Sequence, residues 1–174
     1  MRSLGLLRAS GVAAVAAATL FGLRTARTHK PVEAAQQMQH PRAYEVGDQL
    51  PRLSGVDYSQ SEETVVIYLS SSCYYCIRSM EFYRALANEV GRSRGRLQLI
   101  VVAWETAEKL HRFIERYQLN ANRVISLSEP DRRVFATPTL VLANSRGMVQ
   151  RVWLGEQPPA ARTTILSLLR PDRT

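Results

Sequence analysis

Val65-Val66-Ile67-Tyr68-Leu69-Ser70-Ser71-Ser72-Cys73-Tyr74-Tyr75-Cys76-Ile77-Arg78 joins two patterns that decide the fold. Thr64 to Leu69 are consecutive β-formers and predict a buried strand. Three serines interrupt it, and a helical pattern begins at the cysteines, so both sit at the start of a helix. There the first N–H groups lack partners and the aligned peptide dipoles leave partial positive charge, which stabilises a thiolate. Cys73, nearer the loop, is expected to have the lowered pKa and to be the attacking nucleophile. Cys76, one turn on and on the same side, is placed to close a disulfide after Cys73 has formed a mixed disulfide with a substrate. Ser72 is the expected N-cap.

A Cys-x-x-Cys pair also occurs as a structural disulfide and as half of a zinc site. A zinc site needs two further ligands at suitable spacing. The chain has only 2 cysteines, and its histidines His29, His40 and His111 are scattered. Beside a strand-helix-strand pattern the spacing points to redox chemistry, with no metal and no cofactor beyond the Cys73–Cys76 pair itself.

At 174 residues the chain supports one domain with a sizeable core plus an appendage. Its net charge of +8 resembles a nucleic-acid signal, but the distribution argues against that reading. Arg2, Arg8, Arg24, Arg27 and Lys30 lie in the first thirty positions, and no acid appears before Glu33. The rest carries 18 basic against 15 acidic residues, a mild excess. Arg92, Arg94 and Arg96, interleaved with Gly91 and Gly95, read as a solvated loop; no nucleic-acid partner is expected.

The amino-terminal segment is the second informative feature. Ala9 to Leu23 runs without a charge and is rich in alanine, yet is shorter than the ~20 residues of a membrane span. Residues 1–27 are therefore read as an export signal or an uncleaved anchor, and 28–43 as a polar linker. The folded domain occupies 44–174. The expected location is membrane-tethered or exported, with the domain extracytoplasmic; an organelle transit peptide, equally rich in Arg and Ser and poor in acids, is the alternative.

Tyr44 to Leu53 reads as a turn with extended apolar segments either side, and Gly55-Val56-Asp57 as a short hairpin edge. After Cys76 the apolar positions Ile77, Met80, Phe82, Tyr83, Leu86, Ala87 and Val90 predict one amphipathic helix ending at Gly91 as a C-cap. Leu97–Ala103 is almost continuously apolar and predicts a strand covered on both faces. Thr106 caps a second helix carrying His111 and ending at Asn120, and Val124–Leu127 is a short strand. Glu129-Pro130-Asp131 turns toward Ala136-Thr137-Pro138-Thr139-Leu140-Val141-Leu142, where a proline opens a strand. A cis bond there would leave the Thr137 N–H and C=O free to pair with an extended substrate segment. Asn144-Ser145-Arg146-Gly147 turns into a strand over Met148–Leu154, and Pro158-Pro159 opens a final helix with Ala161, Ile165, Leu168 and Leu169 on one face.

This order of elements resembles the thioredoxin fold, an α/β fold with a central mixed sheet flanked by helices. The start Val46-Gly47-Asp48-Gln49-Leu50-Pro51-Arg52-Leu53 resembles the membrane-tethered, thioredoxin-like disulfide reductases of the TlpA and cytochrome c maturation type, and is shared with the peroxiredoxins. The resemblance covers about Tyr44 to Leu169. It implies that Cys73 is the nucleophile, Cys76 the resolving thiol, and Thr137-Pro138 a cis-proline element facing them. Two departures bear on mechanism. Ser72 stands where the family often has tryptophan, and Ile67 where many thioredoxins carry a buried acid that takes the proton of the second thiol. Glu105, just beyond the Leu97–Ala103 strand, is a candidate substitute acceptor. Tyr74 and Tyr75 offer an apolar docking surface or a cover for the disulfide.

The leading expectation is thus a thiol–disulfide oxidoreductase acting on protein disulfides or dithiols, with an external thiol electron donor or acceptor. A peroxiredoxin-like peroxidase is one alternative, prompted by the shared start and by Ser70; Val66 replaces the proline such enzymes want. A copper carrier using both thiolates is another, and a non-catalytic scaffold a third.

Overall fold

The computed structural model describes residues 43–129 and 133–170. The expected signal or anchor segment, the linker up to residue 42, and residues 130–132 of the turn after Glu129 lie outside the described residues.

Six residues, Glu63–Tyr68, form β1, and every one after Glu63 is buried. β2 is Leu97–Ala103, as its unbroken apolar run predicts, and is buried along its whole length. β3 is Arg123–Ser126, β4 Thr139–Asn144 and β5 Val149–Leu154. The sheet order is β3-β2-β1-β4-β5, with β1, β2 and β3 parallel and β4 antiparallel to both its neighbours. The strand that leads to the cysteines is therefore at the centre, hydrogen-bonded on both edges.

The helices are α1 (Tyr74–Arg78), α2 (Met80–Arg92), α3 (Ala107–Arg116) and α4 (Pro159–Leu169). Two successive parallel crossovers, β1 to β2 and β2 to β3, step in one direction, so right-handedness puts α2 and α3 on the same face. One core cluster accordingly joins Val65, Ile67 and Leu69 to Leu86 of α2, Leu110 and Phe113 of α3, and Ile165 and Leu169 of α4. The opposite face carries Val66 and Tyr68, covered by Tyr44, Leu50, Leu53 and Val134 from irregular chain. Burying each such Val, Leu or Ile contributes about 1.5–3 kcal/mol. One polar pair is admitted to the sheet: Gln98 Nε2 donates to Thr64 Oγ1 at 2.8 Å across the β1–β2 register and to Asp57 O at 3.2 Å.

Several boundaries differ from the sequence reading, each for a local reason. The single helix expected from the cysteines to Gly91 is two, broken at Ser79, whose hydroxyl donates to Tyr75 O at 2.8 Å and closes α1. Gly91 lies inside α2; the chain leaves it at Ser93, whose hydroxyl donates to Val90 O at 2.6 Å and accepts from Leu97 N at 3.0 Å. α3 ends at Arg116, well before Asn120, because Gln118 turns left-handed at φ 52°. Gly55-Val56-Asp57 is no hairpin edge: Asp57 caps a 3-10 turn over Tyr58–Gln60 by accepting from Ser59 N at 2.9 Å. Met148 precedes β5 and forms an isolated bridge with Gln49. The turn before it uses Gly147 at φ 74°, where an added Cβ would meet Gln49 Nε2 at 2.8 Å.

Leu86 is fully buried between α2 and the sheet. Leu86→Ala is expected to cost about 2–5 kcal/mol in urea unfolding. Glu108→Ala, which removes an exposed 2.7 Å pair with Arg112, should cost under about 0.5 kcal/mol.

Candidate active site

The carboxyl end of β1 delivers the chain into the Ser70–Ser72 turn, in which Cys73 N donates to Ser70 O at 3.1 Å. Cys73 is itself the N-cap of α1. Its sulfur accepts from Cys76 N at 3.3 Å, the place in the pattern that Ser72 was expected to fill. The Ser72 hydroxyl instead faces that of Ser70 at 3.1 Å. The reason is register: the helix starts one residue later than a Ser72 cap requires.

Cys73 and Cys76 are not bonded to each other in the structure; Cys73 is partly exposed and Cys76 buried. As a thiol, Cys73 donates to Thr137 O at 3.2 Å, which brings the second motif of the sequence onto the first. Partial burial alone would raise the Cys73 pKa. Hydrogen bonds from the Cys76 thiol, the Thr137 side chain and the N–H groups of Cys76 and Tyr75 outweigh it and hold Cys73 below the ordinary thiol value. Burial is the main influence on Cys76 and, with its hydrogen bond to Cys73, pushes it up to about 12. The two sulfurs, a helical turn apart, thus differ in kind: one is partly exposed and inclined to ionise, the other is held protonated behind it.

Thr137-Pro138 forms a cis peptide bond. The Pro138 carbonyl accepts from Gly155 N at 2.7 Å, and Thr139 Oγ1 donates to Ala136 O at 2.7 Å. Tyr74 and Tyr75 project from α1 with 63% and 54% of their surface exposed, their rings edge to face at 5.5 Å, and the Arg78 guanidinium lies 5.6 Å from the Tyr74 ring.

Beside Tyr75 is a cleft of about 700 Å3, mostly apolar, lined by Gly155, Pro158, Pro159 and Arg162. On its rim Glu156 is paired with Arg162 at 3.0 Å and Arg78 at 3.4 Å. Phe135 and Leu154 are further large exposed apolar side chains close in sequence to Pro138 and Gly155. The sequence reading named Tyr75 as a docking residue and Pro158-Pro159 only as a helix start; Gly155, Glu156 and Arg162 it did not single out. A glycine followed by a diproline directly after a strand, and an arginine one helical turn beyond Tyr74, were the available signals.

Glu105 follows β2, and its carboxylate faces Ser71. Oε1 accepts from Ser71 N at 3.0 Å, Oε2 from Ser71 Oγ at 2.6 Å, and Lys109 Nζ lies 3.0 Å from Oε2. Partial burial would raise its pKa, but the Ser71 hydroxyl, Lys109 and the Ser71 N–H hold it below the ordinary carboxylate value. A carboxylate so engaged is a weak base. Among the described residues no group of three His, Cys, Asp or Glu side chains could hold a metal ion. His111 is exposed on α3.

A five-stranded mixed sheet with these helices, a Cys-x-x-Cys turn at the end of its central strand and a cis-proline opposite, defines a thioredoxin-like fold. Solved structures with this fold include a thiol:disulfide interchange protein of the thioredoxin family from Chlorobium tepidum, at TM-score 0.53 and 17% identity over 73% of this chain and 99% of that one. Also similar are a thiol-disulfide isomerase from Corynebacterium glutamicum (TM-score 0.54, 17% identity, 76% and 94% covered) and the thioredoxin domain of a thiol-disulfide oxidoreductase from Bacteroides vulgatus (TM-score 0.57, 13% identity, 74% and 100% covered). No protein-family model and no curated protein matches the sequence.

In the folded, reduced protein, alkylation of Cys73 by iodoacetamide should rise with pH through a midpoint below the ~8.5 of an ordinary thiol. Cys76 should stay unmodified at neutral pH, since its own titration lies at about 12. Peptide mapping of the labelled sites reads both.

Proposed function

We propose that the protein is a thiol–disulfide oxidoreductase in which Cys73 is the nucleophile and Cys76 the resolving thiol. One observation supports this above the others: the partly exposed Cys73 sulfur is held by N–H donors beside the Thr137 carbonyl, while Cys76 is buried behind it. In the reducing direction the Cys73 thiolate attacks one sulfur of a substrate disulfide. An S–S bond forms to Cys73, the substrate S–S bond breaks, and the departing sulfur leaves as a thiolate that takes up a proton. Cys76 loses its proton and attacks the Cys73 sulfur of the mixed disulfide, which releases the second substrate sulfur. The balance is two electrons and two protons to the substrate and a Cys73–Cys76 disulfide in the protein. An external dithiol returns the pair to its reduced form, and an oxidase would run the same steps backwards. No cofactor beyond the pair enters these steps.

The substrate class we infer is an extended protein segment bearing a cysteine. It would run along Thr137-Pro138, whose backbone offers strand-like pairing, with flanking apolar side chains on Tyr74 and Tyr75 and in the adjoining cleft. The structural neighbours, thiol–disulfide enzymes by description, support the same chemistry. For its location we keep the tethered or exported reading of residues 1–27. Among the described residues no helix is long and apolar enough to cross a membrane.

The test is reduction of insulin disulfides with dithiothreitol as donor. Wild type is expected to accelerate it and Cys73→Ser to fall to the uncatalysed rate. Cys76→Ser should accumulate a mixed disulfide visible on a non-reducing gel and released by excess dithiothreitol. Wild type indistinguishable from Cys73→Ser, together with hydrogen peroxide consumption or copper retained through purification, would replace this reading with a peroxidase or a carrier.

A further inference from the structure

We propose that Glu105 is a positioning residue for Cys73: by holding Ser71 it fixes the serine turn so that the Cys73 sulfur rests against the Tyr75 and Cys76 N–H groups. This rests on the thiol–disulfide reading above and adds a residue to it.

Between the buried Leu69 and Cys73 the turn consists of three serines, Ser70–Ser72, whose own side chains are not part of the core. Its own bonds, Cys73 N to Ser70 O at 3.1 Å and Ser70 Oγ to Ser72 Oγ at 3.1 Å, lie within the turn and move with it. Glu105 ties it to the rest of the domain, using both carboxylate oxygens on the backbone and the hydroxyl of one residue, Ser71. Bidentate, charge-assisted contacts of this kind are the stronger class of hydrogen bond. The anchor is itself fixed. Glu105 continues from β2, its carbonyl accepts a hydrogen bond from the Ser126 hydroxyl of β3, and its side chain is only 8% exposed.

One residue separates Ser71 from Cys73, too little chain to absorb a displacement of the turn without moving the sulfur. A turn released from Glu105 would lengthen the contacts that Cys73 accepts, and the thiolate would lose part of its stabilisation. The carboxylate charge acts in the opposite direction, disfavouring a nearby thiolate, and Lys109 offsets it. Beyond it, the charged side chains that line this corner are Arg112, Glu115 and Arg116 of α3. The titratable groups that face Cys73 itself are the Cys76 thiol and Tyr83 of α2.

The two effects are separable because Gln keeps an acceptor for the Ser71 N–H and lacks the charge, whereas Ala has neither. In the full chain, the pH midpoint of Cys73 alkylation should move upward in Glu105→Ala, toward ~8.5. A midpoint one pH unit higher leaves about tenfold less thiolate at neutral pH. Glu105→Gln should stay at or slightly below the wild-type midpoint. A folded Glu105→Ala with an unchanged midpoint overturns the inference, as does Glu105→Gln moved upward as far as Glu105→Ala. Should Glu105→Ala fail to fold, Ser71→Ala decides: a smaller upward movement supports the positioning role, and none overturns it. Alkylation needs no disulfide substrate, so this result stands apart from the insulin assay, whose failure in wild type would instead remove the oxidoreductase reading.

Discussion

Burial and hydrogen bonding pull the two sulfurs of one helical turn in opposite directions, and the site depends on that split. A thiol in the core is costly to ionise, which keeps Cys76 protonated; a thiol capped by N–H groups is easier to ionise than in water. The five-residue length of α1 sharpens the argument. A helix that short carries little accumulated dipole, so direct hydrogen bonds, from the Cys76 thiol, the Thr137 side chain and the N–H groups of Cys76 and Tyr75, account for the depressed Cys73 pKa. Of the two influences expected at a helix N-terminus, free N–H groups and aligned peptide dipoles, the N–H contacts are the ones seen at the Cys73 sulfur.

Those contacts are only as good as the strand ends that carry them. Tyr68 closes β1 and stacks on Trp104, just past β2, with ring centroids at 5.9 Å, and on Tyr44 at 6.0 Å. This stack lies on the sheet face opposite α2 and α3, and it takes over the work of a helix there, pinning the carboxyl ends of β1 and β2 together. The serine turn leaves from one of those ends and Glu105 from the other. The aromatic cluster on the back of the sheet and the carboxylate clamp at its edge are therefore successive parts of one support for the Cys73 sulfur.

What the sequence made legible was governed by burial. β2 was read to the residue because a run from Leu97 to Ala103 with no polar break except Gln98 has one stable place, the middle of a covered sheet. Thr106 as a cap and Pro159 at the first turn of α4 were legible because each has a single local bonding role. The errors fall where a side chain competed with the backbone. Ser79 breaks a helix whose apolar spacing runs through it without interruption, and Ser93 ends α2 where Gly91 looked the better stop. Ser72 lost its capping place to a cysteine, a residue seldom considered for one. Glu105 was visible as an acid at a strand's end. Its partner Ser71 was not, since the contact joins residues 34 positions apart.

The place of the buried acid raises the last question, how Cys76 loses its proton. Ile67 occupies the position, fully buried in β1, and offers no base. Glu105 has both oxygens committed to Ser71 and Lys109 and a depressed pKa, so it is ill suited to the task. On the oxidoreductase reading a base nevertheless forms during the reaction itself. When Cys73 attacks, the departing substrate sulfur is released as a thiolate of ordinary pKa ~8.5, well below that of Cys76. Proton transfer between them is uphill, and it becomes effective only as the mixed disulfide forms. At that moment Cys73 ceases to be an anion, and its charge no longer opposes ionisation of Cys76. The resolving step is thus gated by the first one: Cys76 stays silent until the sulfur in front of it has reacted.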